Sequence, residues 1–208
     1  MAMKQTMSSL HFVLLLELLV IANINFSFCN RSSYNVGGCI ESEKQVLLSF
    51  KQGLRDPSNR LASWIGDGDC CAWSGIVCHN LTEHVLELRL RNPFSGYTSY
   101  AQLDAYEMSK LHGNINPSLL DLKLLISLDL SGNDFEGIRI PKFLGSMGNL
   151  RYLNLSRAGF AGMISHQLGN LSNLECLDLG WNKLHVENLH WLSVEHLLLG
   201  ITFQSCNL

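Results

Sequence analysis

Apolar residues recur at a fixed interval in the second half of the chain. Each of four segments begins with two leucine-type positions that lie three residues apart. They are followed by an alternating pair, which is an apolar residue, one intervening residue and a second apolar residue. The first apolar residue of each alternating pair is Leu128, Leu153, Leu177 and Ile201, so the steps are 25, 24 and 24 residues. Because side chains alternate across a strand, each pair predicts a short strand with its apolar side chains pointing inward.

A second column recurs with the same steps, five residues after the first apolar residue of each pair. Its members are Asn133, Ala158, Asn182 and Cys206. An Asn side chain can bond the backbone of neighbouring coils where the strand turns into a loop; a thiol does so more weakly, and Ala cannot. Two columns with one period are typical of leucine-rich repeats. A helical bundle would show spacings of three and four without this recurrence.

We therefore predict an α/β leucine-rich-repeat solenoid with short parallel strands on the concave face and helical or 3₁₀ turns on the convex face. The first strand is predicted at 85–90, and residues 80–208 would form about four to five coils with a truncated last coil. From Leu88 to Leu128 is 40 residues, more than one coil requires. The excess falls at 93–108, a polar, Tyr-rich stretch that we predict to be a protruding loop.

The N-terminus is predicted to be a signal peptide spanning residues 1–29. The apolar stretch 10–22 is too short to cross a membrane, and Ser27 to Cys29 match a small-x-small cleavage site before Asn30. The interpretation is secretion into an oxidising compartment. Four sequons for N-glycosylation in the remaining chain agree with it, at Asn30, Asn80, Asn154 and Asn170.

Six of the seven cysteines remain after such cleavage. Four of them cluster before the repeats: Cys39, Cys70, Cys71 and Cys78. In a secreted chain this clustering predicts a disulfide-stapled cap, and the spacing lacks the paired knuckles of a zinc site. Trp64 and Trp73 are predicted to form the core of that cap. Cys176 faces outward in the strand register, which makes it a candidate free thiol.

Charge and motifs exclude several functions. The net charge is −3, which gives no basis for binding nucleic acid or an anionic membrane. No metalloprotease motif, nucleophile elbow or phosphate-binding loop is present, and we expect neither a catalytic activity nor a cofactor or metal. Asp129 and Asp178 recur because the repeat recurs, so they are not interpreted as a catalytic pair.

The block from Cys39 to Cys78, with Lys51, the Cys70-Cys71 pair and Trp73, resembles the N-terminal cap of plant leucine-rich-repeat receptors. The cap would cover residues 30–79. The resemblance implies the pairing Cys39–Cys70 and Cys71–Cys78. Stretches such as 128–135 and 167–174 look most like the receptor-like proteins typified by receptors for a fungal ethylene-inducing xylanase. Departures from that pattern are Ser165 in place of proline, Glu195 at a leucine position, and a chain ending at Leu208.

The resemblance implies an extracellular ligand-recognition part of a plasma-membrane receptor-like protein in pathogen perception and defence. A protein or peptide ligand of microbial origin and a co-receptor kinase would be its partners, with the apoplast as location if the chain ends at Leu208. A secreted polygalacturonase-inhibitor-like protein or soluble decoy, and a non-functional truncated gene product, are the alternatives. The outward strand residues are the candidate ligand face: Glu87, Arg89, Ser127, Asp129, Ser131, Tyr152, Asn154, Ser156, Asp178, Gly180, Thr202 and Gln204.

Overall fold

The structure is a computed structural model that describes residues 38–94 and 99–185. The predicted signal peptide, the sequon at Asn30 and the fourth repeat segment with Thr202, Gln204 and Cys206 lie outside the described residues.

The cap begins with helix α1 (Glu41–Gln52). Leu47 and Phe50 lie three positions apart on one helix face, and both are fully buried. Two acidic residues in the first turn and Lys51 in the last turn complement the helix dipole. Strand β1 (Leu54–Arg55) follows α1 and pairs antiparallel with strand β4 (His112–Gly113), which ties the cap to the chain beyond it.

The rest of the cap is a 3₁₀ turn at Cys70–Ala72 and strand β2 (Ile76–Cys78). Strand β2 pairs antiparallel with β3 (Val85–Arg89) and so forms the edge of the main sheet. Trp64 and Trp73 stack with ring centroids 5.6 Å apart and are almost completely buried, as predicted for core residues. The cap therefore covers the apolar face of the first coil with its own aromatic core.

Three further strands continue the main sheet in parallel: β5 (Ser127–Asp129), β6 (Tyr152–Asn154) and β8 (Cys176–Asp178). The strand order is β2-β3-β5-β6-β8. Leu88, Leu128, Leu153 and Leu177 occupy one row across β3, β5, β6 and β8. All four are at most 3% exposed, which confirms the inward leucine face and the parallel strands.

The convex side consists of 3₁₀ turns at Pro117–Asp121, Lys142–Ser146 and His166–Asn170. Successive turns stack closely. A Cβ atom added at Gly145 would lie 2.0 Å from the carbonyl oxygen of Gln167, so this contact requires glycine. Two short strands, β7 (Ala161–Met163) and β9 (Lys183–His185), pair in parallel. Each follows a strand of the main sheet along the chain. The predicted 3₁₀ turns are confirmed.

The prediction of a loop throughout 93–108 is wrong. Residues Tyr100–Met108 form helix α2, whose N-cap Ser99 accepts a hydrogen bond from the backbone N–H of Gln102. Tyr106 is buried because the helix lies against the coils, and its carbonyl oxygen accepts from Nδ2 of Asn92 at 2.9 Å. The polar composition concealed a helix that is stabilised mainly by this packing.

Candidate functional site

The outward residues of the sheet form two rows across the parallel strands. The strand register aligns Glu87, Ser127, Tyr152 and Cys176 in one row. It aligns Arg89, Asp129, Asn154 and Asp178 in the other. The structure therefore brings together, on one face, the described members of the predicted ligand face.

These rows differ in exposure from one end to the other. Arg89 is exposed, and Glu87, Asp129 and Ser156 are half-buried. The other described members are buried: Ser127, Ser131, Tyr152, Asn154, Asp178 and Gly180. Because neighbouring parallel strands lie about 4.8 Å apart, each short polar side chain is flanked by those of the adjacent coils. Only part of the predicted face is thus directly accessible.

The second row also closes the turn that follows each strand. Oδ1 of Asp129, Asn154 and Asp178 accepts a hydrogen bond from the backbone N–H two residues later, at 2.9, 3.0 and 2.9 Å. The hydroxyls of Ser131 and Ser156 donate to the same oxygens of Asp129 and Asn154. This Asx-turn arrangement gives the row a structural role that alternation along a strand does not reveal.

Tyr152 is the largest side chain on the concave face. Its hydroxyl accepts a hydrogen bond from Nδ2 of Asn154 at 3.0 Å. Burial raises the pKa of Tyr152; the bond from Asn154 opposes this effect, and the charges of Asp129 and Asp178 add to it. The phenol is therefore neutral at physiological pH, and it can act as a fixed hydrogen-bonding group.

Arg89 and Glu87 form the charged end of the face. Nε of Arg89 donates to Oε2 of Glu87 at 2.7 Å, and this bond raises the pKa of Arg89. An exposed ion pair contributes little to stability, so both groups can exchange this contact for one with a partner.

Two predictions for Asn154 exclude each other. One makes it a glycosylation site, and the other places its side chain in the ligand face. Its amide is buried and is hydrogen-bonded at both ends, to Tyr152 and Ser156. A glycan on Nδ2 would displace the bond to Tyr152. Asn80 and Asn170 are exposed and have space for a glycan.

The four cap cysteines form the disulfides Cys39–Cys70 and Cys71–Cys78, as the resemblance implied. The sulfur atoms of Cys39, Cys70 and Cys71 lie within 4.8 Å of one another, but as disulfide sulfurs they are not available as thiolate ligands for a metal. Cys176 is also disulfide-bonded, so the prediction of a free thiol there is wrong.

Sequence reasoning missed two charged residues that join the cap to the coils. Nη1 of Arg60 donates to Asn133 and to the carbonyl of Ser109, while Nη2 donates to the carbonyls of Leu90 and Arg91. Burial lowers the pKa of Arg60. Each bond is made to a residue 30 or more positions away, so no local motif marks this arginine.

Glu43 is the second of these residues. It is only 5% exposed although it lies on α1. Its carboxylate accepts from the backbone N–H of Val85 at 2.7 Å and contacts Nδ1 of His84 at 2.8 Å. An acidic residue in a first helical turn is ordinary on the surface, so the sequence offers no signal for this buried contact.

Comparison with protein families matches two descriptions. Residues 40–79 match a leucine-rich repeat N-terminal domain, and residues 124–147 match a leucine-rich repeat. No helix within the described ranges 38–94 and 99–185 is long and apolar enough to cross a membrane.

Curated relatives from Solanum lycopersicum match most of the chain. The chain is 42% identical to Receptor-like protein EIX1 over 183 residues. This alignment covers 85% of the chain and 18% of that protein. It is also 42% identical over 159 residues to Receptor-like protein EIX2, covering 76% of this chain and 15% of that protein. The chain thus spans less than a fifth of the length of either relative.

Solved plant ectodomains share the fold. The BIR2 ectodomain from Arabidopsis thaliana superposes with a TM-score of 0.57 at 29% identity, covering 71% of this chain and 70% of that one. The GASSHO1/SCHENGEN3 ectodomain from Arabidopsis thaliana, crystallised with CASPARIAN STRIP INTEGRITY FACTOR 2, superposes with a TM-score of 0.54 at 29% identity. The match covers 70% of this chain and 16% of that one. With the cap, disulfides, repeats and relatives taken together, the chain belongs to the plant leucine-rich-repeat receptor-like proteins.

Proposed function

We propose that this chain is the extracellular recognition part of a plant cell-surface receptor-like protein, and that it acts by protein–protein binding in pathogen perception. The observation that carries the proposal is the concave sheet, on which aligned polar rows end in the ion pair of exposed Arg89 with half-buried Glu87. A rigid surface of this kind, lined with hydrogen-bonding groups, suits the recognition of another protein better than catalysis.

The size of the sheet bears on how the chain would bind. Five strands spaced by about 4.8 Å span roughly 20 Å, and a standard interface needs about 800 Å² on each partner. We infer that the described coils supply one part of a longer contact surface.

A microbial protein or peptide as ligand, and a receptor kinase as co-receptor, are proposed as partners. Related ectodomains support this class of partner. The GASSHO1/SCHENGEN3 structure contains a second factor, and a BIR3–SERK2 complex matches this chain with a TM-score of 0.56 at 32% identity. The proposal further includes secretion through the segment 1–29, a cap at 30–79, repeats at 80–208, and glycans at Asn30, Asn80 and Asn170.

Direct binding of residues 30–208 tests the proposal. The secreted protein is immobilised and exposed to a purified fungal xylanase, the ligand class of the receptors it resembles, and to the ectodomain of a leucine-rich-repeat receptor kinase. We expect saturable binding of at least one of them, weakened by Arg89→Ala. Lys142→Ala, an exposed change on the convex side, is the matched control and should leave binding unchanged.

Thermal unfolding of the same preparation separates the alternatives. A cooperative transition together with binding supports the receptor proposal. A cooperative transition with no binding of either probe contradicts it. A chain that never unfolds cooperatively would instead be the non-functional gene product.

A further inference from the structure

The residue four positions after the buried leucine of each strand differs from coil to coil. It is Gly132, Arg157 and Trp181 in successive coils, and all three have a left-handed backbone, with φ of 70°, 51° and 59°. Glycine adopts this conformation without cost, whereas a bulky side chain is strained in it. At Gly132 an added Cβ atom would lie 3.0 Å from Cβ of Asn92 and 3.6 Å from the ring of Tyr106, so this coil has no room for a side chain.

In the next two coils the same column is open. Trp181 is 79% exposed, which is unusual for the side chain that gains most from burial. The guanidinium of Arg157 lies over its indole ring, 4.9 Å from the ring centroid. We call these two residues the Arg157–Trp181 pair.

Arg157 differs from three other exposed arginines, Arg55, Arg89 and Arg151. Arg55, Arg89 and Arg151 each pair with a glutamate. Within the described part of the chain, Arg157 has no ion pair. Its guanidinium, positioned over the indole ring, offers N–H donors that a carboxylate can accept in a charge-assisted pair.

The backbone beneath the pair is fixed. The N–H of Arg157 donates to the carbonyl oxygen of Gly180 at 2.8 Å. The side chain of Asn182, next to Trp181, bonds the carbonyls of Leu155 and Leu179 and the N–H of Phe160. A partner would therefore meet two large side chains on a rigid support, which lowers the entropic cost of binding. Tryptophan and arginine are also the residues most enriched among interface hot spots.

We propose that the Arg157–Trp181 pair is a docking site for an acidic protein segment. A carboxylate of the segment binds the guanidinium of Arg157, and a neighbouring apolar side chain covers the open face of Trp181. This inference rests on the proposed function and deepens it, because it assigns to one exposed pair a partner chemistry that the buried polar rows cannot serve.

The test uses the secreted chain 30–208 labelled with ¹⁵N and two blocked peptides as probes, one alternating Leu with Asp and one alternating Leu with Asn. The indole N–H signal of Trp181, assigned by its loss in Trp181→Gly, should shift saturably with the acidic peptide. Affinity for the Asn peptide should be at least about tenfold lower, because a charge-assisted bond is lost. In Arg157→Gly the two peptides should bind equally weakly.

Glycine is the appropriate replacement because it relieves the left-handed backbone. Both variants should unfold within about 3 °C of the parent protein, so lost binding would not reflect lost folding. The matched control is Glu136→Gly, another left-handed residue with φ of 57° that lies outside the pair. It should retain full peptide binding.

Three kinds of result would overturn the inference. One is equal affinity for the acidic and the amide peptide, or an acidic affinity unchanged in Arg157→Gly. Another is a Trp181 shift with a neutral oligosaccharide such as cellohexaose and none with the acidic peptide, which would make the site a carbohydrate platform. Xylanase or kinase binding that survives in both glycine variants would contradict this site while leaving the proposed function intact.

Discussion

The cap and the coils of this protein are stabilised in different ways. The cap relies on unique contacts: two disulfides, a buried glutamate on α1 that bonds the first strand, and an arginine that bonds four groups on the neighbouring coils. The coils rely on contacts that recur from repeat to repeat, namely the leucine row and, in all but the coil with Ala158, the asparagine column.

The repeated contacts tolerate an exception. In the coils with Asn133 and Asn182, the amide oxygen accepts a backbone N–H of the preceding coil, from Leu111 and Phe160. Where the column holds Ala158, the N–H of Phe135 donates instead to the carbonyl oxygen of Ala158 at 2.8 Å. A periodic backbone offers this substitute, whereas the cap has no second group at the position of Glu43 or Arg60.

Removal of a core ring tests how separate the two regions are. Phe135 and Phe160 stack with centroids 5.0 Å apart, and both are fully buried. We expect Phe160→Ala to lower the free energy of unfolding by about 3–5 kcal/mol. Hydrogen exchange should show the loss in the coils around Phe160, with the amides of α1 still protected, because coils contact mainly their neighbours. Equal loss of protection in α1 would show that cap and coils unfold as one unit; Leu124→Ala, 41% exposed, is the control.

Loss of each disulfide measures how far the cap depends on its cross-links. Cys39–Cys70 closes a separation of 31 residues and Cys71–Cys78 one of 7. Chain entropy then predicts losses of about 3.7 and about 2.4 kcal/mol when both cysteines of a pair become alanine. Urea unfolding of the two double variants should give this order. The reverse order would mean that local geometry, and not loop closure, dominates in the cap.

The junction between the regions depends on Asn133. Asn133→Ala leaves the buried N–H of Leu111 without its acceptor and removes one contact of Arg60, which should cost about 2 kcal/mol. The exposed Asn149, which makes one bond to the carbonyl of Lys123, offers a matched change that should cost less than about 1 kcal/mol. Equal losses in chemical denaturation would contradict a special role for the buried column.

Alkaline pH produces the smallest effect, and it acts on the coils alone. Because burial raises the pKa of Tyr152, the unfolded chain loses this proton first as the pH passes about 10. The contribution of Tyr152 to the free energy of unfolding should therefore be constant below about pH 10 and fall above it. The free energy of unfolding is measured at pH 8 and at pH 10.5. Tyr152→Phe should reduce the difference between the two values. Tyr100→Phe, at an 88% exposed position, is the control and should leave the difference unchanged.

Sequence reasoning succeeded where one physical rule acts at each repeat. Alternation and a period of 24 to 25 residues predict the strands, their parallel register and the inward leucines, because a coil cannot bury its apolar face alone. It failed at α2, where packing of Tyr106 stabilises a helix with little apolar periodicity. It also placed Asp129, Asn154 and Asp178 in the candidate ligand face without showing that they close turns, because turn closure by a side chain has no signature in alternation.

By itself, the sequence determined the repeat and the stapled cap, which follow from residue spacing along the chain, and its resemblance to known receptors indicated the family. Only the tertiary structure decided which polar residues are accessible, that Arg60 and Glu43 join the cap to the coils, and that exposed Arg157 and Trp181 meet. The physical reason is distance along the chain. These contacts join residues 24 or more positions apart, and their energies depend on burial and orientation that arise only when the coils stack.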